Sequence, residues 1–427
     1  MVGRSIFVAD KVYQSTFGPT RKGQDPRKIP EIETQVCTSY FLLLLQLDGF
    51  AIICYLKLAF RPRGLRVRTL YRASEESGLD KKFHPHSFLR LVMKRQQTHT
   101  NFCMYIVTGI IYQLMTCLTA PAVYTDDDTG AVYACGDNKS GQCGLGNTTP
   151  QILKPTRIRY TGAPIVKVGC GADFSMILDC NGSLHSFGLP EFGQLGHNTD
   201  GKYFVSSTKL SYHFETVPKH IALFFEKSKD GHITPVKDVA IVDFSCGNNH
   251  TVAIDSKKRA FSWGFGGFGR LGHAEQKDES VPRLVKYFDS AARGVRAVYC
   301  GATYSLAVNE HGVLFLFGQT KRTGEANMYP KPVQDLQGWN IRSVGTSNTS
   351  IVVAADDTLI AWGVSPTYGE LGTGEITKST AKPKEVTKME GLNITQVAMG
   401  YSHTLLLADD TSDEVKQKLE NVPTFVP

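Results

Sequence analysis

Residues 242–272 read VDFSCGNNHTVAIDSKKRAFSWGFGGFGRLG. Val242, Phe244 and Cys246 alternate with Asp243 and Ser245, and Val252 and Ile254 continue the pattern past Gly247. Period two is what a half-buried strand requires. A second aromatic strand, Ala260 to Trp263, ends at Gly264 and opens a Gly-x4-Gly-x-Leu-Gly loop that closes on Gly272. The same phrase recurs from Val166 (VKVGCGADFSMILDCNGSLHSFGLPEFGQLG), from Val295 (VRAVYCGATYSLAVNEHGVLFLFG) and, degraded, from Ile341. Partial copies begin at Gly130 and Ile394.

The glycines that close the aromatic strands are Gly136, Gly188, Gly264, Gly318 and Gly363, spaced by 52, 76, 54 and 45 residues. A period near fifty without a helical pattern predicts an array of small sheets of about four strands, each buried only when its neighbours stack on it. Asn181-Gly182 and the Asn309 to Gly312 turn supply hairpin signals between apolar runs.

These residues resemble the regulator-of-chromosome-condensation repeat family. The likeness lies in the Cys-Gly strand, the aromatic-Gly strand and the Gly-x-Leu-Gly loop, and it runs from about Gly130 to Pro427. It implies an all-β, seven-bladed type of β-propeller, of which five units are recognisable. Narrower likenesses at Ser186 to Lys202, Phe261 to Lys286, Met328 to Ser343 and Val397 to His403 point to a mitotic branch of the family. That branch implies a non-enzymatic scaffold in cell division that binds small GTPases of the Rho or Ral type and chromatin, centromere or spindle proteins, with microtubules a further partner. It places the protein in the nucleus or nucleolus, on chromosomes or spindle in mitosis, with cytoplasm also open. The family founder is a nucleotide exchange factor, so exchange on a Rho- or Ral-type GTPase is the alternative.

Residues 1–125 depart from the repeat. An apolar run from Tyr40 to Phe60 contains Asp48 and Lys57, a second from Phe102 to Tyr124 is uncharged, and Arg61 to Arg95 between them carries a net charge of +7. Three readings stand: divergent blades, a mis-joined stretch of sequence, or a membrane hairpin that would tether the propeller. A hairpin puts Asp48 and Lys57 in the bilayer at roughly 2.5–3.5 kcal/mol each if deep. It also puts the cysteine-lined repeats on the side opposite the basic loop, so a membrane partner is the poorer reading. Residues 1–129 hold a net +6 and the remainder only +1, so the array itself has no strong nucleic-acid charge. The sequence divides into 1–125, the repeats at 126–410 and a tail at 411–427. The last repeat, Ile394 to Ala408, lacks its aromatic strand, and no strong donor strand is visible before Gly130.

Most chemical motifs dissolve into the repeat. Cys170, Cys246 and Cys300 share one repeat position with Thr346 and Met399, which predicts packing and not ligation, and no CxxC occurs. Gly264 to Gly269 satisfies GxGxxG, but the fingerprint works only where it opens a helix. His250 and His403 share a position with Phe174, Tyr304 and Thr349. No catalytic, metal or cofactor constellation is read, and no small-molecule substrate is expected. The one excess is about 24 residues within 198–236. Its apolar cluster, with Phe224, Phe225 and Lys227, and the loop residues Arg270, His273, Lys277 and Asp278 are the candidate partner-binding set, expected at blade rims facing solvent.

Overall fold

The computed structural model describes residues 130–320, 325–364, 369–374, 379–400, 403–409 and 411–422, with strands at 37–47, 50–60, 88–89, 106–107 and 122–125. The basic stretch Arg61 to Arg95 and the run Phe102 to Tyr124 lie largely outside the described residues.

In chain order the strands are β1 (Cys37–Leu47), β2 (Phe50–Phe60), the short pair β3 (Phe88–Leu89) and β4 (Ile106–Val107), then β5 (Ala122–Thr125), β6 (Val132–Asp137) and β7 (Gln151–Arg157). The second sheet holds β8 (Ile165–Cys170), β9 (Phe174–Asp179), β10 (Leu184–Gly188) and, after the hairpin β11 (Lys202–Ser206) and β12 (Lys209–Tyr212), β13 (Glu215–His220). The third holds β14 (Phe225–Lys227), β15 (Ile233–Pro235), β16 (Ile241–Cys246), β17 (His250–Asp255), β18 (Ala260–Gly264) and β19 (Glu279–Leu284). Next come β20 (Val295–Cys300), β21 (Tyr304–Asn309), β22 (Leu314–Gly318) and β23 (Asn327–Pro332). β24 (Ile341–Thr346), β25 (Ser350–Ala355), β26 (Thr358–Val364) and β27 (Ser379–Glu385) follow, then β28 (Ile394–Met399) and β29 (Thr404–Asp409).

Each repeat is one antiparallel meander, and the first strand of each sheet packs beside the first strand of the next, from β5 through β8, β16, β20 and β24 to β28. The expected propeller architecture is what the chain builds. Its cores lie between blades. Phe174, Met176 and Leu178 of the second sheet mesh with Phe244, Phe261 and Trp263 of the third in one cluster. Trp263 is fully buried, and its indole N–H donates to the Gln194 carbonyl of the preceding blade at 3.0 Å.

Cys170, Cys246 and Cys300 are buried free thiols at these blade junctions. Burial pushes the Cys300 thiol up to about 12, and its S–H donates to the Ser245 carbonyl at 3.2 Å. Packing is the role their shared position predicted.

Two expectations change. The last repeat does have a donor before Gly130: β2 pairs antiparallel with β29, Phe50 opposite Asp409 and Cys54 opposite Leu405, and β1 pairs with β2. The apolar run Tyr40 to Phe60 thus forms a strand hairpin on the final sheet, which covers an otherwise open edge. The segment after 410 is not a loose tail. Ser412 caps helix α1 (Asp413–Glu420), whose Val415 and Leu419, together with Val422, join the core of the last sheet. No helix among the described residues is long and apolar enough to cross a membrane.

Candidate functional site

The glycine loops after the third strand of each blade carry the chemistry singled out in the sequence. Gly193 and Gly269 hold positive φ (74° and 73°), and a side chain at either would also meet the neighbouring blade. A Cβ would stand 2.5 Å from Ser280 Cα in the first case and 2.6 Å from Met328 Cα in the second. The loops therefore fold back over the next blade, and the residues that follow them point inward.

Arg270 is the clearest consequence. It was expected at a solvent-facing rim, but it is only 3% exposed. Its Nε donates to the Gly267 carbonyl at 2.9 Å and Nη1 to the Ala302 carbonyl of the next blade at 3.0 Å. The guanidinium lies 4.6 Å from the Phe265 ring centre and 5.6 Å from that of Phe268. Burial pulls its pKa down to about 10, so the charge persists at neutral pH. Gln142, Gln194 and Glu370 occupy the same loop position and are also buried.

His273 is likewise turned away from solvent. The Ser262 hydroxyl donates its proton to the Leu271 carbonyl at 2.7 Å, so the His273 Nε2, 2.9 Å away, carries a hydrogen and donates to Ser262. Burial first, and Arg283 nearby second, push His273 down to about 3. Ser186, Leu195 and His197 repeat the arrangement one blade earlier, with His197 pushed down to about 4 by burial and Lys219. At the shared inner position His250 donates to Ser305 at 2.9 Å, because the Ser305 hydroxyl is committed to the Arg270 carbonyl. His250 thereby fastens one blade to the next, while His197 and His273 tie their glycine loops to the third strand of their own blade. Lys277 and Asp278 are exposed as expected, although Asp278 also accepts from the Gly266 N–H at 2.8 Å.

The insertion departs from expectation. Phe224 is half-buried and sits edge-on to Phe261, 5.2 Å between centres, within the third blade's core. Phe225 opens β14, which adds to the outer strand β19 in parallel with Phe225 opposite Arg283. Lys227 reaches Glu275 at 3.4 Å, and Glu275 in turn pairs with Arg283. These residues extend the third sheet, so they do not stand free as anchors.

The glycine loops carry an aromatic rim, with Phe192 and Phe265 half-buried and Phe268 exposed. Phe192 and Phe265, from neighbouring glycine loops, lie 4.9 Å apart, and Phe268 beside them is 43% exposed. Phe268 holds φ 62°, a left-handed conformation that costs a non-glycine residue roughly 1–2 kcal/mol. Beyond Glu191, which accepts from the Tyr212 hydroxyl at 2.8 Å, the β11–β12 hairpin projects with Tyr203, Phe204, Val205 and Leu210 exposed. The sequence signal for it was present in the uncharged run Tyr203 to Thr208, where a polar-apolar alternation would have marked a blade strand. The Gly264 to Gly269 loop runs into a single 3-10 turn, Gly267–Gly269, and opens no helix, which removes the dinucleotide reading. Among the described residues no group of three or more His, Cys, Asp or Glu is arranged to hold a metal ion.

The sequence pattern of the RCC1-like domain matches residues 107–406. The chain belongs to the RCC1-like domain family. Within it the chain is 54% identical to human Protein RCC2 over 301 residues, 70% of this chain and 58% of that protein. It is 53% identical to the zebrafish (Danio rerio) Protein RCC2 homolog over 301 residues, 70% of this chain and 61% of that protein. The matched part therefore spans less than two thirds of these relatives' length. Prp20p of Saccharomyces cerevisiae, solved by crystallography, superposes with TM-score 0.54 at 20% identity, covering 71% of this chain and 70% of its own. That likeness carries the propeller fold of the RCC1-like domain and nothing finer.

Proposed function

We propose that this RCC1-like propeller is a non-enzymatic platform in cell division that captures a small GTPase and chromatin- or spindle-associated proteins through its glycine-loop face. The reading is supported by the 54% identity to Protein RCC2. It is supported also by Prp20p, described with its binding properties to Gsp1p and histones. One observation carries the site: Phe268 is held in a strained backbone conformation with its ring in solvent, beside Phe192 and Phe265. The Phe268 ring flanks the Arg270 guanidinium, 5.6 Å from its centre, yet remains 43% exposed, and a partner surface gains from aromatic anchors.

The test uses Phe268→Gly in the full chain. Glycine accepts φ 62° without strain but gives up the ring beside Arg270, two effects of opposite sign, so the unfolding midpoint should hold within a few degrees while capture of an immobilised Rac- or Ral-type GTPase weakens at least tenfold. Unchanged capture by this variant rejects the rim. Release of a fluorescent nucleotide from the GTPase, accelerated a hundredfold or more by substoichiometric protein, would replace the platform with an exchange factor.

A further inference from the structure

Among the described residues thirteen large hydrophobic side chains are exposed, and six of them (Tyr203, Phe204, Val205, Leu210, Phe214 and Val217) fall between positions 203 and 217. Such crowding on a surface that otherwise scatters them singly marks a contact surface. It centres on β11 and β12, a two-stranded sheet to which no other strand among the described residues is paired. A lone hairpin is marginal in water, and its open edges are templates for a further strand.

The two edges differ. In β12, Ser211 and Tyr212 are half-buried, and the Tyr212 hydroxyl binds Glu191 on the body of the blade. Every residue of β11 is exposed, with Phe204 at 74% and Val205 at 56%. Lys202 is tied to Asp200 at 3.2 Å, and from Tyr203 to Thr208 no charge and no proline guards the edge. Of the usual devices against strand pairing, β11 has its short length, Lys202 at its start and a register shift between Phe204 and Ser206 on the β12 side; the outer edge from Tyr203 to Val205 carries neither charge nor proline.

We infer that β11 pairs antiparallel with β11 of a second copy of this chain, about a two-fold axis at Phe204. In that register Phe204 faces Phe204 of the partner copy, Tyr203 faces Val205, and Lys202 faces Ser206. The aromatic and β-branched residues meet in the cross-strand pairs that stabilise sheets most, and no like charges are opposed. A one-residue slip to an axis at Val205 would set Phe204 against Ser206 and Tyr203 against Ser207, wasting the apolar face. The neutral Tyr203 to Thr208 edge matches its own copy, whereas an acidic or basic partner strand would find no complementary charge there. The joined hairpins form a four-stranded sheet, and the dimer is isologous and closed.

Sedimentation equilibrium of the full chain carrying Cys180→Ser, which removes the one exposed thiol among the described residues, reads the association. A monomer–dimer equilibrium is expected in the micromolar range, and Phe204→Glu, which sets like charges on the axis, should weaken it at least tenfold. Circular dichroism of that variant should be unchanged, since the side chain it replaces is mostly in water. Register is read by oxidation: Phe204→Cys should form a symmetric interchain disulfide, Tyr203→Cys alone should not, and Tyr203→Cys mixed with Val205→Cys should. A parent chain that stays monomeric overturns the pairing, as does a dimer indifferent to Phe204→Glu or cross-linking equal at 203 and 204. The pairing is separable from capture by the aromatic rim: a monomer that still binds its GTPase removes only the self-association.

Discussion

Replacing Arg270 separates a blade fastener from a surface contact. The guanidinium gives two hydrogen bonds to backbone carbonyls, Gly267 and Ala302, at 2.9 and 3.0 Å. Charge-assisted bonds of this kind contribute about 1.5–3 kcal/mol each, and desolvated stacking over Phe265 and Phe268 adds about 1–2. Against this stands the cost of burying the charge, visible in a pKa pulled down to about 10. A net loss of about 3 kcal/mol follows for Arg270→Ala, because both carbonyls lose their partner at a blade junction. For a domain of this size that corresponds to roughly 6–9 °C in the unfolding midpoint.

Two further variants sharpen the case. Arg270→Lys should lose about 2 kcal/mol, since an ammonium cannot span both carbonyls as a planar fork does. Arg270→Gln should be milder, about 1–2 kcal/mol. Glutamine is what two other blades use: Gln142 Oε1 accepts from Ser140 N–H at 2.8 Å, and Gln194 Oε1 from Phe192 N–H at 2.7 Å. The assay is urea unfolding of the full chain followed by tryptophan fluorescence, with GTPase capture measured in parallel. If Arg270→Ala unfolds within about 0.5 kcal/mol of the parent while capture collapses, the side chain serves partners and the reasoning fails.

The architecture was legible because the repeat states backbone requirements directly. Alternation at Val242 to Cys246 is a strand, and Gly193 and Gly269 are where one blade crosses another. Exposure was not legible. Polar letters at Arg270 and His273 suggested solvent, but the loop turns both inward, Arg270 onto the Ala302 carbonyl of the next blade and His273 onto the Ser262 hydroxyl of its own. The insertion misled for the opposite reason. Its densest apolar cluster, Ile221 to Phe225, admits a partner surface or a self-packed hairpin from sequence alone, and in the fold Ile221 and Phe224 pack against Phe261 and Trp263. The exposed residues lie mostly earlier, in Tyr203 to Val205, although Leu223 within the cluster is 56% exposed. What distinguishes them is the uncharged run Tyr203 to Thr208 and the absence of a sheet to join, of which only the second needs the fold. Helix α1 escaped because eight residues with two buried apolar positions leave little periodicity to detect.

Phe224→Ser, which cuts a ring stacked on Phe261, should cost about 2–3 kcal/mol in urea unfolding, while Ser at the exposed Phe204 should cost under about 0.5. Gly269→Ala, with a Cβ 2.6 Å from Met328 Cα, should cost about 3 kcal/mol or more; Gly231→Ala, at φ 87° with open space around it, should cost only about 1. Acid should unfold the propeller partly through the histidines that tie the glycine loops to their blades. His197 and His273 stay neutral in the fold, at about 4 and about 3, while the unfolded chain takes up the proton near 6.5. Their folded pKa values are depressed, so below pH 6.5 the unfolded state binds more protons, and stability falls as pH drops through 6.5 towards 4. Each histidine contributes at most about 1.4 kcal/mol per pH unit in that window and nothing above neutrality. Acidic groups also titrate there, so the readout is the difference made by His273→Asn, whose amide keeps a donor for Ser262. That variant should flatten the pH slope between 6.5 and 4.5, and a slope identical to the parent's would mean that His273 is protonated in the folded blade.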